Sequence, residues 1–137
     1  RVGAAAPRFI VDRLTGGVIS SAGLRGKPAY INIFASWCPP CRQELPAVVG
    51  AYSKYRGAVA FLGVDEQEPA VAVRPFVKAM KLTFDVGLDR GQMAATYGAS
   101  SIPESIFIDR RGVVRAIVHG PISSTTLAND LALIAGP

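Results

Sequence analysis

The chain holds only two cysteines, Cys38 and Cys41, in the run FASWCPPC beside its single tryptophan, Trp37. Two thiols separated by two residues can staple a chain, hold a soft metal ion, or trade electrons with other disulfides. The local sequence discriminates among these uses. An apolar, β-rich run, AYINIF (29–34), precedes the pair, and apolar residues at helical spacing follow it. At a strand-to-helix turn Cys38 takes the N-cap, and Pro39 and Pro40 take the first two helical positions. Proline fits there, because those N–H groups have no intrahelical partner. Cys41 then lies one turn in. The positive end of the helix dipole favours a thiolate at Cys38, while Cys41 is expected to be more buried and less acidic. An exposed attacking thiolate and a second, resolving thiol are what thiol–disulfide exchange needs.

The prolines also remove a donor. An N-cap side chain takes its hydrogen bond from the second or third helical N–H. The second belongs to Pro40, which has none, so the Cys41 N–H is left as the near donor to the Cys38 sulfur. The Cys38 thiolate is therefore expected to be less stabilised than in a pair lacking that proline. Each lost unit of pKa depression is worth about 1.4 kcal/mol. For a two-electron couple this is about 30 mV toward a more reducing pair.

Other uses of the pair fit less well. A disulfide across so short a loop constrains the unfolded chain little. Zinc needs about four ligands, and beyond the cysteines the chain offers one histidine, His119, on a distant predicted strand. His119 reads as a strand-end surface or packing residue. A two-thiolate Cu(I) site is the rival from another class, and it makes a Cu(I)-binding metallochaperone the alternative function. The pattern around a lone peroxidatic cysteine is missing, as is an extra dimerisation domain of the isomerase kind.

The elements that must position the pair can be read along the chain. FIVD and VIS around RLTGG predict a short N-terminal hairpin. AYINIF is a buried central strand. The next helix carries Leu45, Val48, Val49, Tyr52 and Tyr55 on one face, with a kink expected at Pro46 and a stop at Gly57. AVAFLGV (58–64) is a second buried strand, which makes a parallel, right-handed βαβ unit. A helix with Val73, Val77 and Met80 on one face, a strand-like FDVGL and a short helix near GQMAATYG follow. SIFID and VVRAIVH, split by RRG, form an antiparallel hairpin. A last helix follows SSTT, with Leu127, Leu131 and Ile134 facing inward. The sum is an α/β fold: one mixed sheet covered by helices on both faces, in a single domain over 1–137 with an N-terminal extension over 1–28.

Composition sets outer bounds. The chain has 137 residues, 50% hydrophobic and 18% charged, which suits a globular domain with a real core. No apolar run approaches the roughly 18 residues of a membrane span. No basic-then-apolar signal segment is present, although a chain starting at Arg1 leaves room for a leader or anchor upstream. The net charge of +5 reads as scattered solvated surface. The basic runs Arg110-Arg111 and Arg25/Lys27 fall at turn-like sites, and no stripe fit for nucleic acid occurs.

With its tryptophan–cysteine motif on a strand-to-helix turn, the chain resembles the thioredoxin superfamily. It looks closest to the extracytoplasmic TlpA/ResA-like thiol–disulfide oxidoreductases, which neighbour the CcmG/DsbE proteins. The likeness runs from about Phe9 to Leu133 and rests mainly on LRGKPAYINIFASWCPPCRQELP. GVDEQEP, YGASSIPESIFIDRRG and the closing helix extend it. The resemblance implies a thioredoxin fold with an N-terminal extension and a central αβ insert. It implies reduction of disulfides in partner proteins of the apocytochrome c or copper-site kind. It also implies a membrane thiol donor, a monomer tethered outside the cytoplasm, and no cofactor beyond the redox-active disulfide.

By position, Cys38 matches the family's attacking cysteine and Cys41 its resolving one. Trp37, Pro39 and Pro40 then frame the client site, and Pro46 is the helix-kinking proline. Pro103 matches the proline after a cis peptide, which brings the Ile102 backbone edge to the cysteines for an incoming strand. Where thioredoxins keep a buried aspartate under the resolving cysteine, this chain has Asn32, which cannot take a proton. Glu44, three residues after Cys41 and on the same helical face, is the expected substitute for proton exchange with Cys41. Glu104 gives a CcmG-like PES beside a ResA-like WCPPC, and is expected to select partners by charge or to be a solvated strand end. Glu66, ending the second strand, is a further candidate for the client groove.

Overall fold

The structure, a computed structural model, describes residues 1–98 and 101–136. Ala99 and Ser100 of the YGASSIPE motif, and Pro137, lie outside the described residues. The strands are β1 (Ile10–Arg13), β2 (Val18–Ser20), β3 (Ala29–Phe34), β4 (Ala60–Glu66), β5 (Asp85–Asp89), β6 (Glu104–Ile108) and β7 (Val114–His119). The helices are α1 (Pro39–Tyr55), α2 (Ala70–Met80), α3 (Gln92–Thr96) and α4 (Ser124–Ala135), with a 3-10 turn at Ser21–Leu24. Among the described residues the strands form one sheet in the order β2-β1-β5-β4-β3-β6-β7.

All six residues of β3 are buried, as a central strand with both faces covered requires. It pairs parallel with β4 and antiparallel with β6. The alternation of its side chains divides the core. Tyr30 and Phe34 join Phe61, Phe84 and Phe107 under α1, α2 and α4. Ile31 and Ile33 join Leu62, Val64, Ile106 and Met93 of α3 on the other face. Gly63 makes the first layer fit, since a Cβ there would lie 2.9 Å from the Phe34 ring and 3.0 Å from that of Phe84. The N-terminal hairpin extends the sheet by pairing β1 antiparallel with β5. Gly87 permits that approach, because a Cβ there would lie 2.5 Å from Val11 Cγ2.

The predicted elements are all present, with shifts of one or two residues at their ends. Helix α1 runs on through Pro46 to Tyr55 and is capped at Arg56, one residue before the expected stop. On α2 the buried positions are Val73 and Phe76, while Val77 and Met80 are half-buried. Helix α4 buries Leu127, Leu131 and Ile134 and is capped by the Ser123 side chain, which accepts from the Thr126 N–H.

The two basic runs are solvated but not scattered. Arg25, Lys27, Arg110 and Arg111 converge on the mouth of one cavity of about 360 Å³. It lies at the Ala29 and Ile108 ends of β3 and β6, the ends remote from the cysteines.

Candidate active site

The cysteines sit where β3 feeds α1. Cys38 is the N-cap in extended conformation, with Pro39 and Pro40 at the first two helical positions. The two cysteines are joined in a disulfide with Cα atoms 5.3 Å apart. The Cys41 N–H donates to Cys38 Sγ at 3.3 Å, the donor left after Pro40 has removed the other. Across the gap the Ile102–Pro103 peptide is cis, and Cys38 Sγ lies 4.0 Å from the Ile102 carbonyl oxygen. Cys41 is fully buried, as expected. Cys38 retains only 3% exposure, because Trp37 and the Ile102 turn crowd it. The route to it is a groove of about 590 Å³ lined by Trp37, Pro39, Pro40, Glu66, Gln67 and Ile102, among others. Trp37 stands 68% exposed at its rim.

On the α1 side of the sheet, Glu44 is buried in the first turns of the helix. A surface glutamate that merely complements the helix dipole is thereby ruled out. Its Oε2 accepts from Asn32 Nδ2 at 2.9 Å and its Oε1 from the Ile122 N–H at 2.9 Å. Asn32 Nδ2 also donates to the Tyr30 hydroxyl, which pairs with the Ser105 hydroxyl, each at 2.9 Å. Asn32 thus stays on the strand as a fixed donor, and the titratable group comes from the helix. Burial pushes the Glu44 carboxyl above its ordinary range, against the pull of Asn32 and the Ile122 N–H. A carboxyl raised in this way holds its proton more readily than an ordinary glutamate, which suits a group that exchanges protons.

A second acidic group, absent from the sequence reading, flanks the other side of the turn. Glu68 accepts from the Ser36 N–H at 2.7 Å and from the Ser36 hydroxyl at 2.5 Å. Asp65, opposite Phe34 on β4, is fully buried. Burial, then the neighbouring carboxyl groups of Glu68 and Glu66, push Asp65 up to about 9. Partial burial works against Glu68, yet bonds with Asp65 and Ser36 hold it below the usual range. Strand alternation was the available signal. Phe61, Gly63 and Asp65 share the face of β4 that packs with Phe34 under α1 and α2, which makes Asp65 a buried acid in GVDEQEP.

Two further expected residues differ in placement. Glu66 is half-buried and lines the cysteine groove, and burial together with Asp89 raises its carboxyl. Glu104 corrects the expectation of an exposed charge. It is fully buried, on the sheet face opposite Glu44, because β6 turns Ser105 toward Tyr30 and Glu104 away from it. His119 Nδ1 from the paired strand lies 2.7 Å from Glu104 Oε2, while the histidine itself is largely exposed. Burial raises the Glu104 carboxyl, and His119 opposes the rise.

The comparisons with known proteins agree with this geometry. The AhpC/TSA family model matches residues 2–117. The thiol–disulfide oxidoreductase ResA of Bacillus thuringiensis (strain Al Hakam) is 37% identical over 136 residues, covering 98% of this chain and 79% of that protein. The chain belongs to the AhpC/TSA family, among the ResA-like thiol–disulfide oxidoreductases. A thiol:disulfide interchange protein of the thioredoxin family from Chlorobium tepidum TLS superposes with a TM-score of 0.87 at 28% identity, covering 97% of each chain. DsbF of MTB, solved in mixed oxidised and reduced forms, gives 0.87 at 29% identity, covering 94% of this chain and 98% of that one.

As a ResA-like protein, the chain is a protein-disulfide oxidoreductase with a thioredoxin fold, and Cys38–Cys41 is its disulfide. No group of three or more His, Cys, Asp or Glu side chains able to hold a metal occurs among the described residues. Nor, among them, is any helix long and apolar enough to cross a membrane.

Proposed function

We propose that the chain reduces disulfides in extracytoplasmic client proteins, of the cytochrome c maturation or copper-site assembly type, from a tethered position and as a monomer. A membrane thiol donor returns it to the dithiol. The reduced Cys38 thiolate attacks a client disulfide. One client sulfur bonds to Cys38 Sγ, and the other leaves as a thiolate and takes up a proton. Cys41 then gives its proton to the Glu44 carboxylate and attacks Cys38 Sγ, which releases the second client thiol. Two electrons have passed to the client, and the Cys38–Cys41 disulfide has formed. Trp37, Pro39, Pro40 and Glu66 frame the approach. The Ile102 backbone edge, beside the cis Pro103, offers strand pairing to the client.

The observation that supports this reading best is the N-cap itself. Cys38 Sγ has the Cys41 N–H as its near donor, since Pro40 offers none. A thiolate so sparsely stabilised makes a pair that gives electrons. Two measurements test the reading. Cys41→Ser should trap client proteins as mixed disulfides on Cys38. Equilibration with glutathione should place the couple below about −230 mV, on the reducing side of the glutaredoxins. A potential near −120 mV would reverse the proposed direction. Titration of the reduced protein with Cu(I) against a graded series of chelators separates this reading from metal carriage.

A further inference from the structure

The turn that carries Trp37 and Cys38 is fastened at one residue. Ser36 donates its N–H and its hydroxyl to the Glu68 carboxylate, and its carbonyl oxygen accepts from Arg42 Nη1 at 3.1 Å. Arg42 is itself stacked over the Phe76 ring, 5.4 Å from its centroid. Behind Glu68 lies Asp65. Neither oxygen of its buried carboxyl meets an N–H or O–H donor among the described residues, and the group it faces is the Glu68 carboxyl. Two carboxylates in contact repel steeply. One proton between them converts the repulsion into a hydrogen bond. The surroundings favour keeping that proton. Glu66 adds negative charge from the end of β4. The cation on this side, Arg42 of α1, is directed at the Ser36 carbonyl.

We propose that Asp65 and Glu68 share one proton and act as positioning residues, holding the Ser36–Trp37 turn where client binding at Cys38 needs it. The part concerning clients rests on the function proposed above, and the proton sharing does not. Loss of the proton sets two negative charges against each other, one of them on the fully buried Asp65 carboxyl. Glu68 then withdraws, and Ser36 loses both of its acceptors while Arg42 still holds its carbonyl. Burial and the Glu68 charge place this change well above neutral pH, so the turn is fastened under ordinary conditions.

Trp37 is the only tryptophan and adjoins Ser36, and the oxidised protein has no free thiol to titrate. Its emission should therefore pass through a one-proton transition near pH 9 in the oxidised native protein. Asp65→Asn places a permanent donor beside Glu68 and should abolish the transition. Glu68→Gln removes the like charge and should move it down by about one unit or more. A native protein without the transition, or Asp65→Asn retaining it, overturns proton sharing. Reduction of insulin at pH 7 tests positioning. Asp65→Ala should raise KM about tenfold with kcat within about twofold, and Asp65→Asn should restore KM. An unchanged KM in Asp65→Ala overturns the positioning role. Absence of insulin reduction by the native protein counts against the proposed function, and the fluorescence result stands apart from it.

Discussion

Glu44 and Asp65 are both buried acidic groups on the α1 face of the sheet, and they are buried on different terms. Glu44, on the α1 side, has a donor for each oxygen, Asn32 Nδ2 and the Ile122 N–H. Asp65, on the β4 side, has none among the described residues, and faces another carboxyl group. Both are raised by desolvation. Donors aimed at both Glu44 oxygens keep its ionised form accessible, which is what the proton exchange proposed for it requires. No donor among the described residues stabilises an ionised Asp65, so it keeps its proton. Burial alone therefore does not mark a proton-transfer group. The donors around it decide whether the proton moves or stays.

The largest effect that can break this contrast is at Glu44. Glu44→Gln should slow the resolution step about 100-fold near neutral pH, read by stopped-flow decay of the mixed disulfide. In the native protein that rate should fall as pH drops through the raised Glu44 value, because the proposed mechanism uses the carboxylate as proton acceptor. The variant should lack this limb. Equal pH profiles would place Glu44 with Asp65, as a structural acid.

Next comes Asp65→Asn, measured by denaturation across pH. The folded protein holds the Asp65 proton up to about 9, whereas the unfolded chain releases it near its ordinary 3.8. Its stabilising contribution is therefore complete below pH 3.8, declines as the pH rises, and is gone above about 9. The asparagine variant removes this dependence. It should gain on the native protein steadily from pH 4 to 9, with a higher melting temperature at pH 8. A native curve already flat over that range would show Asp65 ionised and satisfied, erasing the contrast.

The smallest effect is at the N-cap. Pro40→Ala restores an N–H to the second helical position. It should lower the Cys38 pKa and move the couple about 30 mV toward oxidising for each unit. Glu44 and Asp65 should keep their separate behaviours in that variant, read by the same two assays.

Much of this site was legible because its geometry is local. Cys38 as N-cap, the two prolines behind it and Cys41 one turn in follow from a strand-to-helix turn and helical spacing alone. Glu44 followed from the same spacing, and Asn32 from its place on β3. Residues whose role depends on the sheet were harder. Glu104 looks exposed in the run PES, yet the pleat of β6 buries it, and its contact with His119 comes from strand pairing. Glu68 reaches the cysteine turn only when β4 lies beside β3, which sets Asp65 opposite Phe34 and Glu68 against Ser36. The gathering of Arg25, Lys27, Arg110 and Arg111 likewise needs β3 and β6 paired.

The N-terminal segment has a further consequence. A protein that exchanges disulfides with other chains meets extended polypeptide, and open sheet edges recruit such chains without discrimination. Here one edge, β2, is three residues long. The other, β7, is interrupted by a register shift opposite Phe107 and Ile108 and carries exposed Arg115 and His119. Its start is covered by the N-terminal residues, with Gly3 N–H bonded to the Val114 carbonyl and Val114 N–H to that of Ala4. Both margins of the sheet are thus poor templates for another chain, which leaves the short edge at Ile102, beside the cysteines, for the strand pairing proposed above.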